Sequence, residues 1–251
     1  MKQIPSVAVV ILNWNGQKLL SEFLPSVIAH TPAPTAIILA DNASTDESIA
    51  WTQTNYPAVI TIKNQENLGF AAGYNLALAN LNYDYFVLLN SDVAVTENWI
   101  TPIIELMEND TKIAVCQPKI LSYNSPESFE YAGAAGGYMD LLGYPFCRGR
   151  IFETVEKDSG QYHTNEEIFW ASGAAFFVRA DLFKLAGGFD KDYFAHMEEI
   201  DLCWRLKNMG YKIMACNEST VYHLGGGTLS ETNPEKTYLN FRNSLYTLRK
   251  N

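Results

Sequence analysis

Asp92 follows Tyr85-Phe86-Val87-Leu88-Leu89-Asn90-Ser91, so an apolar strand would deliver its carboxylate straight to a turn. Mg²⁺ and Mn²⁺ favour hard oxygen ligands and often take only one or two from protein, leaving a diphosphate to complete the shell. Asp92 is therefore the foremost candidate for holding a divalent cation, although an Asp after a strand more often caps a helix. A second acidic group lies far along the chain, in Met197-Glu198-Glu199-Ile200-Asp201-Leu202-Cys203-Trp204-Arg205-Leu206. Helical spacing puts Glu199 above Leu202, Cys203 and Leu206 on the apolar face, and Glu198, Asp201 and Arg205 on another. The helix N-terminus favours ionised Glu199 and burial opposes it, a balance that suits a general base. The plainer reading is a solvated acidic first turn with Asp201 and Arg205 as a surface pair. That explains Glu198 and Asp201 well and Glu199 poorly. His223 follows Val221-Tyr222 and precedes Gly225-Gly226-Gly227, which allow close backbone approach. It is either a hydrogen-bonded structural histidine or a ligand.

The elements that must position these groups alternate. Short β-branched or aromatic runs predict strands over 7–12, 36–40, 59–63 and 85–89, with helical patterns over 18–29, 46–54, 71–81 and 99–107. Ser44-Thr45-Asp46-Glu47 reads as a helix N-cap with acids in the first turn. Such alternation with near-continuous apolar strands means a mainly parallel sheet covered by helices on both faces. Further strand character is expected at 113–115, 119–121 and 168–179, a helical turn at 180–185 and a helix over 197–209. Between them, 122–167 reads as hairpins and loops. No repeat is visible, and a single domain over 1–251 is expected, with a shift in character near residue 115.

Asn13-Trp14-Asn15-Gly16, Asp41-Asn42, residues 64–69 and Asn90-Ser91-Asp92 each follow one of the first four strands. Strand-to-helix loops are ordinarily polar. Four such clusters at the carboxyl ends of parallel strands share the edge where open α/β sheets bind ligands. No Gly-x-Gly-x-x-Gly follows the first strand and no Gly-x-x-x-x-Gly-Lys-Ser/Thr occurs, which argues against nicotinamide and P-loop chemistry. What remains is a nucleotide site of Asp and Asn contacts, with a metal for the phosphates.

The net charge of −10 argues against nucleic acid and against a polybasic grip on lipid. It also makes a divalent cation the economical source of positive charge near a diphosphate. The first apolar run is too short for a secretory leader, and no segment approaches the roughly 20 residues that span a bilayer. The four cysteines lack CxxC pairing and read as buried free thiols in a reducing compartment.

These motifs, in order, resemble glycosyltransferase family 2 with its GT-A fold, particularly the rhamnosyltransferase-like branch. Residues 13–16, 41–46 and 67–75 are similar to its early donor-site motifs, and Leu88-Leu89-Asn90-Ser91-Asp92 to its Asp-x-Asp-type metal motif. Trp170-Ala171-Ser172-Gly173-Ala174, Gly187-Gly188-Phe189-Asp190 and Glu198-Glu199-Ile200-Asp201-Leu202-Cys203 resemble its later blocks. The resemblance implies a donor half over 1–115 and an acceptor and catalytic half over 116–251. It implies donor contacts from Asn13, Asn15, Asp41, Asn42, Asn67, Gly69, Asn75, Asn90 and Ser91, with Asp41 and Asn42 on base and ribose. Metal ligation would fall to Asp92 and His223, with Mg²⁺ or Mn²⁺ as cofactor. Acceptor contacts would come from Trp170, Gly173 and Asp201, and catalysis from Glu199 with Glu198.

The implied activity is inverting transfer from a UDP- or dTDP-sugar to a hydroxyl of a glycan or lipid-linked acceptor, in cell-surface polysaccharide synthesis. A cytoplasmic location, peripheral to the inner face of the membrane, is implied as well. Asn90 stands where the motif has its first acid, and Glu199 where the family has Asp, one methylene shorter. The helix expected around 238–246 is one that many relatives continue toward membrane-associated segments. The competing reading is a non-catalytic nucleotide-sugar or glycan-binding protein on the same fold. A nucleotidyltransferase is a weaker one, since a basic phosphate loop near the start is reduced to Lys18.

Overall fold

The computed structural model describes residues 4–225 and 234–251. Two of the three consecutive glycines, Gly226 and Gly227, lie outside the described residues. The first half alternates β1 (Val7–Asn13), α1 (Gln17–His30), β2 (Ala36–Asp41), α2 (Ser48–Asn55), β3 (Ile60–Lys63), α3 (Gly69–Leu78) and β4 (Tyr85–Leu89). β5 (Val93–Val95), α4 (Thr101–Asn109) and β6 (Ile113–Ser122) follow. Two small two-stranded ribbons come next, β7 (Gly137–Met139) with β8 (Pro145–Cys147) and β9 (Arg150–Ile151) with β10 (Thr154–Val155). The chain returns through β11 (Glu166–Ile168), β12 (Ala175–Arg179), α5 (Ala180–Leu185), α6 (Glu198–Asn208), β13 (Lys212–His223) and α7 (Pro234–Lys250).

The central sheet runs β11-β13-β6-β12-β4-β1-β2-β3, with β5 pairing β13. β3, β2, β1 and β4 are mutually parallel, as are β6 and β13, and β12 is inserted antiparallel between β4 and β6. The side-chain period of two divides each strand between two cores. Val7, Val9 and Ile11 pack with Leu20, Leu24, Ile49, Ile103 and Met107 of α1, α2 and α4. Ala8 and Val10 pack with Tyr74, Phe183, Ile200 and Leu206 of α3, α5 and α6. Both faces are covered, which is why the strands read as unbroken apolar runs. All four cysteines are buried and free.

Two elements depart from expectation. β6 is one continuous strand where two short runs were expected. β13 was not anticipated as a strand, because its alternation is broken: the register against β6 jumps between Cys216 and Thr220, at polar Asn217-Glu218-Ser219. The strand then resumes and carries His223.

Tyr74 is fully buried on α3, and its hydroxyl lies 3.2 Å from the Leu89 carbonyl, 3.3 Å from that of Val10 and 3.4 Å from the Leu12 amide. It joins a helix to two parallel strands just below their binding ends. Tyr74→Phe is expected to cost about 1 kcal/mol, the usual net worth of one such hydrogen bond. An unchanged urea midpoint would show that this bridge contributes nothing.

Candidate active site

β1 and β2 end in register, Asn13 opposite Asp41. The buried Asn13 amide donates to Asp41 Oδ1 (3.0 Å), Ser44 Oγ (3.0 Å) and Ser48 Oγ (2.9 Å), while Asp41 Oδ2 accepts the Ser44 amide (3.1 Å). Exposed Asn15 accepts the Thr45 amide at 2.7 Å. Gly16 must be glycine, since a Cβ there would lie 2.3 Å from Asn13 Oδ1. The expected N-cap takes another form. α2 begins at Ser48, and Asp46 instead accepts the amides of Ser48 (3.1 Å) and Gln17 (3.0 Å), tying two helix starts together. A cavity of about 370 Å³ opens beside this network, lined by Asp41, Ser44, Asp46, Lys63 and Asn64 among others. Asp92 and Glu199 do not line it.

Two residues expected to touch the donor are spent on the protein itself. Asn42 is 2% exposed; its Nδ2 donates to Asn67 Oδ1 (2.8 Å) and the Gly69 carbonyl (2.9 Å). Its Oδ1 accepts from Asn64 Nδ2 (3.0 Å) and the Leu68 amide (3.3 Å). Asn42 therefore shapes the loop before α3 and offers no free atom to a ribose. Asn75 pairs with the backbone of Phe189, donating to its carbonyl (2.7 Å) and accepting its amide (2.9 Å). It is a clamp between α3 and the segment preceding α6.

That segment is bent into unusual backbone. Phe194, His196 and Met197 all have φ between 63° and 73°. The Phe194 carbonyl receives two amides from the first turn of α3, those of Phe70 (2.7 Å) and Ala71 (3.1 Å). Gly69, at φ 73°, lies beneath the Phe194 ring, where a Cβ would come within 2.5 Å. α6 starts immediately afterwards. The sequence suggested Glu198 and Asp201 as solvated and Glu199 as turned toward the core. The structure reverses this: Glu198 is 3% exposed and Asp201 0%, while Glu199 is half-buried. The face taken for solvent is covered by the 188–193 segment and α7.

Burial, reinforced by the neighbouring Glu199, holds Glu198 well above the usual carboxylate range. Burial also pushes Glu199 up to about 7. One oxygen of each carboxyl is enclosed with no hydrogen-bond partner in the protein. The Glu199 carboxyl faces Gly173, whose ideal Cβ position lies 4.0 Å from its carbon. Asp201 is not available to an acceptor: Arg205 Nε (2.8 Å), Lys250 Nζ (3.1 Å) and Asn251 Nδ2 (3.1 Å) take up its oxygens. Trp170 is 7% exposed, with its indole N–H donated to the Tyr138 carbonyl at 2.8 Å and its ring packed on Gly137. It supports the β7–β8 ribbon.

Asp92, 5% exposed, sits between β4 and β5, and its carbonyl accepts the Leu224 amide at 3.0 Å. Because β5 pairs with β13, His223 is opposite Val93, and its Nε2 lies 3.2 Å from Asp92 Oδ1. Its Nδ1 lies 3.4 Å from Oε1 of Glu130. Burial disfavours the charged ring, but Asp92 and Glu130 push its pKa up to about 10. Glu130 was missed from sequence, lying in a loose stretch with no pattern to mark it. Asn90 receives β12 instead, its amide donating to the Ala174 carbonyl at 3.0 Å, and Ser91 lies beside Gly16.

Asn42→Ala removes four hydrogen bonds from a buried loop and is expected to cost about 2–3 kcal/mol, by leaving carbonyl and amide groups unpaired. The same change should weaken nucleotide binding through loop disorder. Differential scanning calorimetry showing a wild-type melting temperature would contradict the role given to this side chain.

Residues 8–184 match the family described as Glycosyl transferase family 2. N-acetylglucosaminyl-diphospho-decaprenol L-rhamnosyltransferase of Mycobacterium tuberculosis is 27% identical over 233 residues, covering 86% of this chain and 75% of that protein. Rhamnosyltransferase WbbL of Escherichia coli is 24% identical over 152 residues, 58% of this chain and 56% of that protein. Among solved structures, GalNAc-T7 with UDP, GalNAc and Mn²⁺ superposes with a TM-score of 0.74 at 17% identity, over 99% of this chain and 48% of that one. Staphylococcus aureus TarS 1-349 in complex with UDP gives 0.63 at 15% identity, over 98% and 66%. The chain thus spans about half of GalNAc-T7. With the family model covering most of the strand-end motifs and the sheet matching its neighbours, the chain belongs to glycosyltransferase family 2: it is a glycosyltransferase of the GT-A fold.

Proposed function

We propose that this enzyme transfers a sugar, with inversion, from a UDP- or dTDP-sugar to a hydroxyl of a glycan or lipid-linked acceptor, in the synthesis of a cell-surface polysaccharide. The observation that carries this reading is the Glu199 carboxyl, half-buried against Gly173, with an unpartnered oxygen and a pKa raised to about 7. A base of that strength is matched to removing a proton from a hydroxyl near neutral pH. The rhamnosyltransferase relative, whose name specifies a decaprenyl-diphosphate-linked substrate, favours the lipid-linked acceptor.

Glu199 takes the acceptor proton as that oxygen attacks the anomeric carbon from the face opposite the departing nucleoside diphosphate. Gly173 leaves room beside the carboxyl, and buried Glu198 keeps its proton, so it supports Glu199 without competing as a base. Asp41, held by Asn13 and Ser44, orients the nucleoside at the cavity beside β2. Asn15, Asn67, Gly69, Asn90 and Ser91 border the same strand-end edge. The donor set of Asp92 and His223 fits a divalent cation that would displace the proton His223 Nε2 shares with Asp92, since only the neutral ring can ligate. One carboxylate oxygen and one imidazole nitrogen 3.2 Å apart match neighbouring positions on a shell of 2.1–2.2 Å, about 3 Å apart. Among the described residues no three such side chains form a complete cage, which suits an ion whose other ligands are phosphate oxygens. The Mn²⁺ named with GalNAc-T7 and with a Pyrobaculum calidifontis mannosyltransferase accords with this. Such an ion neutralises charge on the leaving diphosphate.

No helix among the described residues is long and apolar enough to cross a membrane. Leu141 and Leu142 at the tip of the β7–β8 ribbon, and Phe241 and Leu245 on α7, are nonetheless exposed. These side chains favour a peripheral seat on the cytoplasmic membrane surface. Vesicles of zwitterionic phospholipid should sediment the wild-type chain but release a Leu141→Ser, Leu142→Ser variant; equal sedimentation would remove this reading.

Screening UDP-, dTDP- and GDP-sugars for Mn²⁺-dependent thermal stabilisation identifies the donor. Glu199→Gln should abolish transfer and leave donor binding intact. In the wild type, kcat/KM should rise with pH as Glu199 loses its proton around 7 and level off above it. A Gln variant with undiminished turnover would exclude the base assignment.

Asp92→Asn should weaken nucleoside diphosphate binding in Mn²⁺ by roughly 10- to 100-fold. If calorimetry in excess chelator gives the same affinity as in Mn²⁺, Asp92 does not bind an ion.

A further inference from the structure

The strained backbone ahead of Glu199 is held by α3 on one side and by α7 on the other, where one side chain gathers three of its carbonyls. Asn243 on α7 is fully buried, and its Nδ2 lies 2.7 Å from the His196 carbonyl, 2.8 Å from that of Ala195 and 3.0 Å from that of Tyr193. The amide orientation is fixed, because Asn243 Oδ1 accepts from Arg242 Nε at 2.9 Å. Arg242 Nη2 donates to the carbonyls of Asp192 (3.0 Å) and Tyr193 (2.9 Å), and Thr247 Oγ1 meets the Tyr193 hydroxyl at 2.9 Å.

The physical need is specific. With φ positive at Phe194, His196 and Met197, successive carbonyls turn inward instead of entering a helix or sheet ladder. Three carbonyl oxygens gathered in a buried place repel one another and each needs a donor. One NH₂ group supplies two hydrogens among the three. Met197 then opens α6, so the position of those carbonyls sets where Glu198 and Glu199 project.

We infer that Asn243 is a positioning residue for the transfer reaction, fixing the 193–197 turn and through it the carboxyl of Glu199. The inference rests on Glu199 being the base. α7 is thereby a working part of the active site, although none of its side chains needs to touch substrate.

The test compares Asn243→Ala and Asn243→Asp with Leu239→Ala, a buried residue of the same helix outside the turn. Turnover is followed as nucleoside diphosphate released from the UDP- or dTDP-sugar that the wild type uses, alongside UDP–Mn²⁺ affinity and amide hydrogen exchange. Both Asn243 variants should lose about 100-fold in kcat, the cost of a base misplaced by roughly 1 Å, with donor KM nearly unchanged. The acid limb of the pH profile should move, and exchange should quicken over 194–200. Leu239→Ala should lose thermal stability with little change in kcat and no change in that limb. If Asn243→Asp does not fold, Asn243→Ala carries the comparison. Wild-type kcat and pH limb in Asn243→Ala, or an equal kcat loss in Leu239→Ala, would overturn the positioning role. The two readings fail separately: an inert Glu199→Gln with an unimpaired Asn243→Ala removes this inference alone, whereas an active Glu199→Gln removes the base as well.

Discussion

The second and third amides of α3, from Phe70 and Ala71, meet the carbonyl of Phe194, and on this meeting the active site depends. Helix N-termini carry donors with no partner inside the helix, and a carbonyl placed against them is held by geometry and by the helix dipole together. Here the donors belong to α3 in the first half of the chain and the carbonyl to the turn before α6. Asn75, about one and a half helical turns beyond Phe70, adds a second grip through Phe189. Neither half can shift without breaking several buried hydrogen bonds. The loop before α3 and the Glu199 carboxyl at the start of α6 are thus registered to each other directly.

Around this junction lies an unusual concentration of buried acid. Glu198, Asp201 and Asp92 are each at most 5% exposed. They are tolerated for different reasons. Asp201 is balanced by Arg205 and Lys250, Asp92 by His223, and Glu198 by keeping its proton. The three solutions leave Glu199 as the carboxyl of α6 with neither a cation nor full burial, and so with an intermediate proton affinity. The chain's net charge of −10 is consistent with a site that relies on a bound cation instead of basic side chains.

The first four strands and the edge they share were legible because β1, β2 and β4 are largely buried on both faces, the exposed edge strand β3 is β-branched, and each ends in polar residues. The apolar run 85–89 was readable to the residue. Legibility failed where a side chain's partner lies far away in sequence. Asn42 and Asn75 look like ligand contacts because Asn is a good ligand, yet both bind backbone across the fold. Helical periodicity placed Glu199 inside and Asp201 outside, and could not foresee that α7 and the 188–193 segment would cover the opposite face. Glu130 and β13 were lost for a simpler reason, since loops and a bulged strand carry no period.

The pairing of β5 with β13 brings Val93 against His223, joining a residue of the early sheet to a strand far along the chain. If Asp92 and His223 share a cation as proposed, chain synthesis yields the edge of β1 to β4 long before it yields the second of those two residues. A ribosome-bound chain could fold β1 to β4 yet hold no diphosphate firmly, because Asp92 would lack its imidazole neighbour. Closure of the sheet at that strand is a long-range event, slow compared with local helix formation. On that proposal, affinity for a charged substrate would wait on one long-range strand pairing, as a result of topology alone.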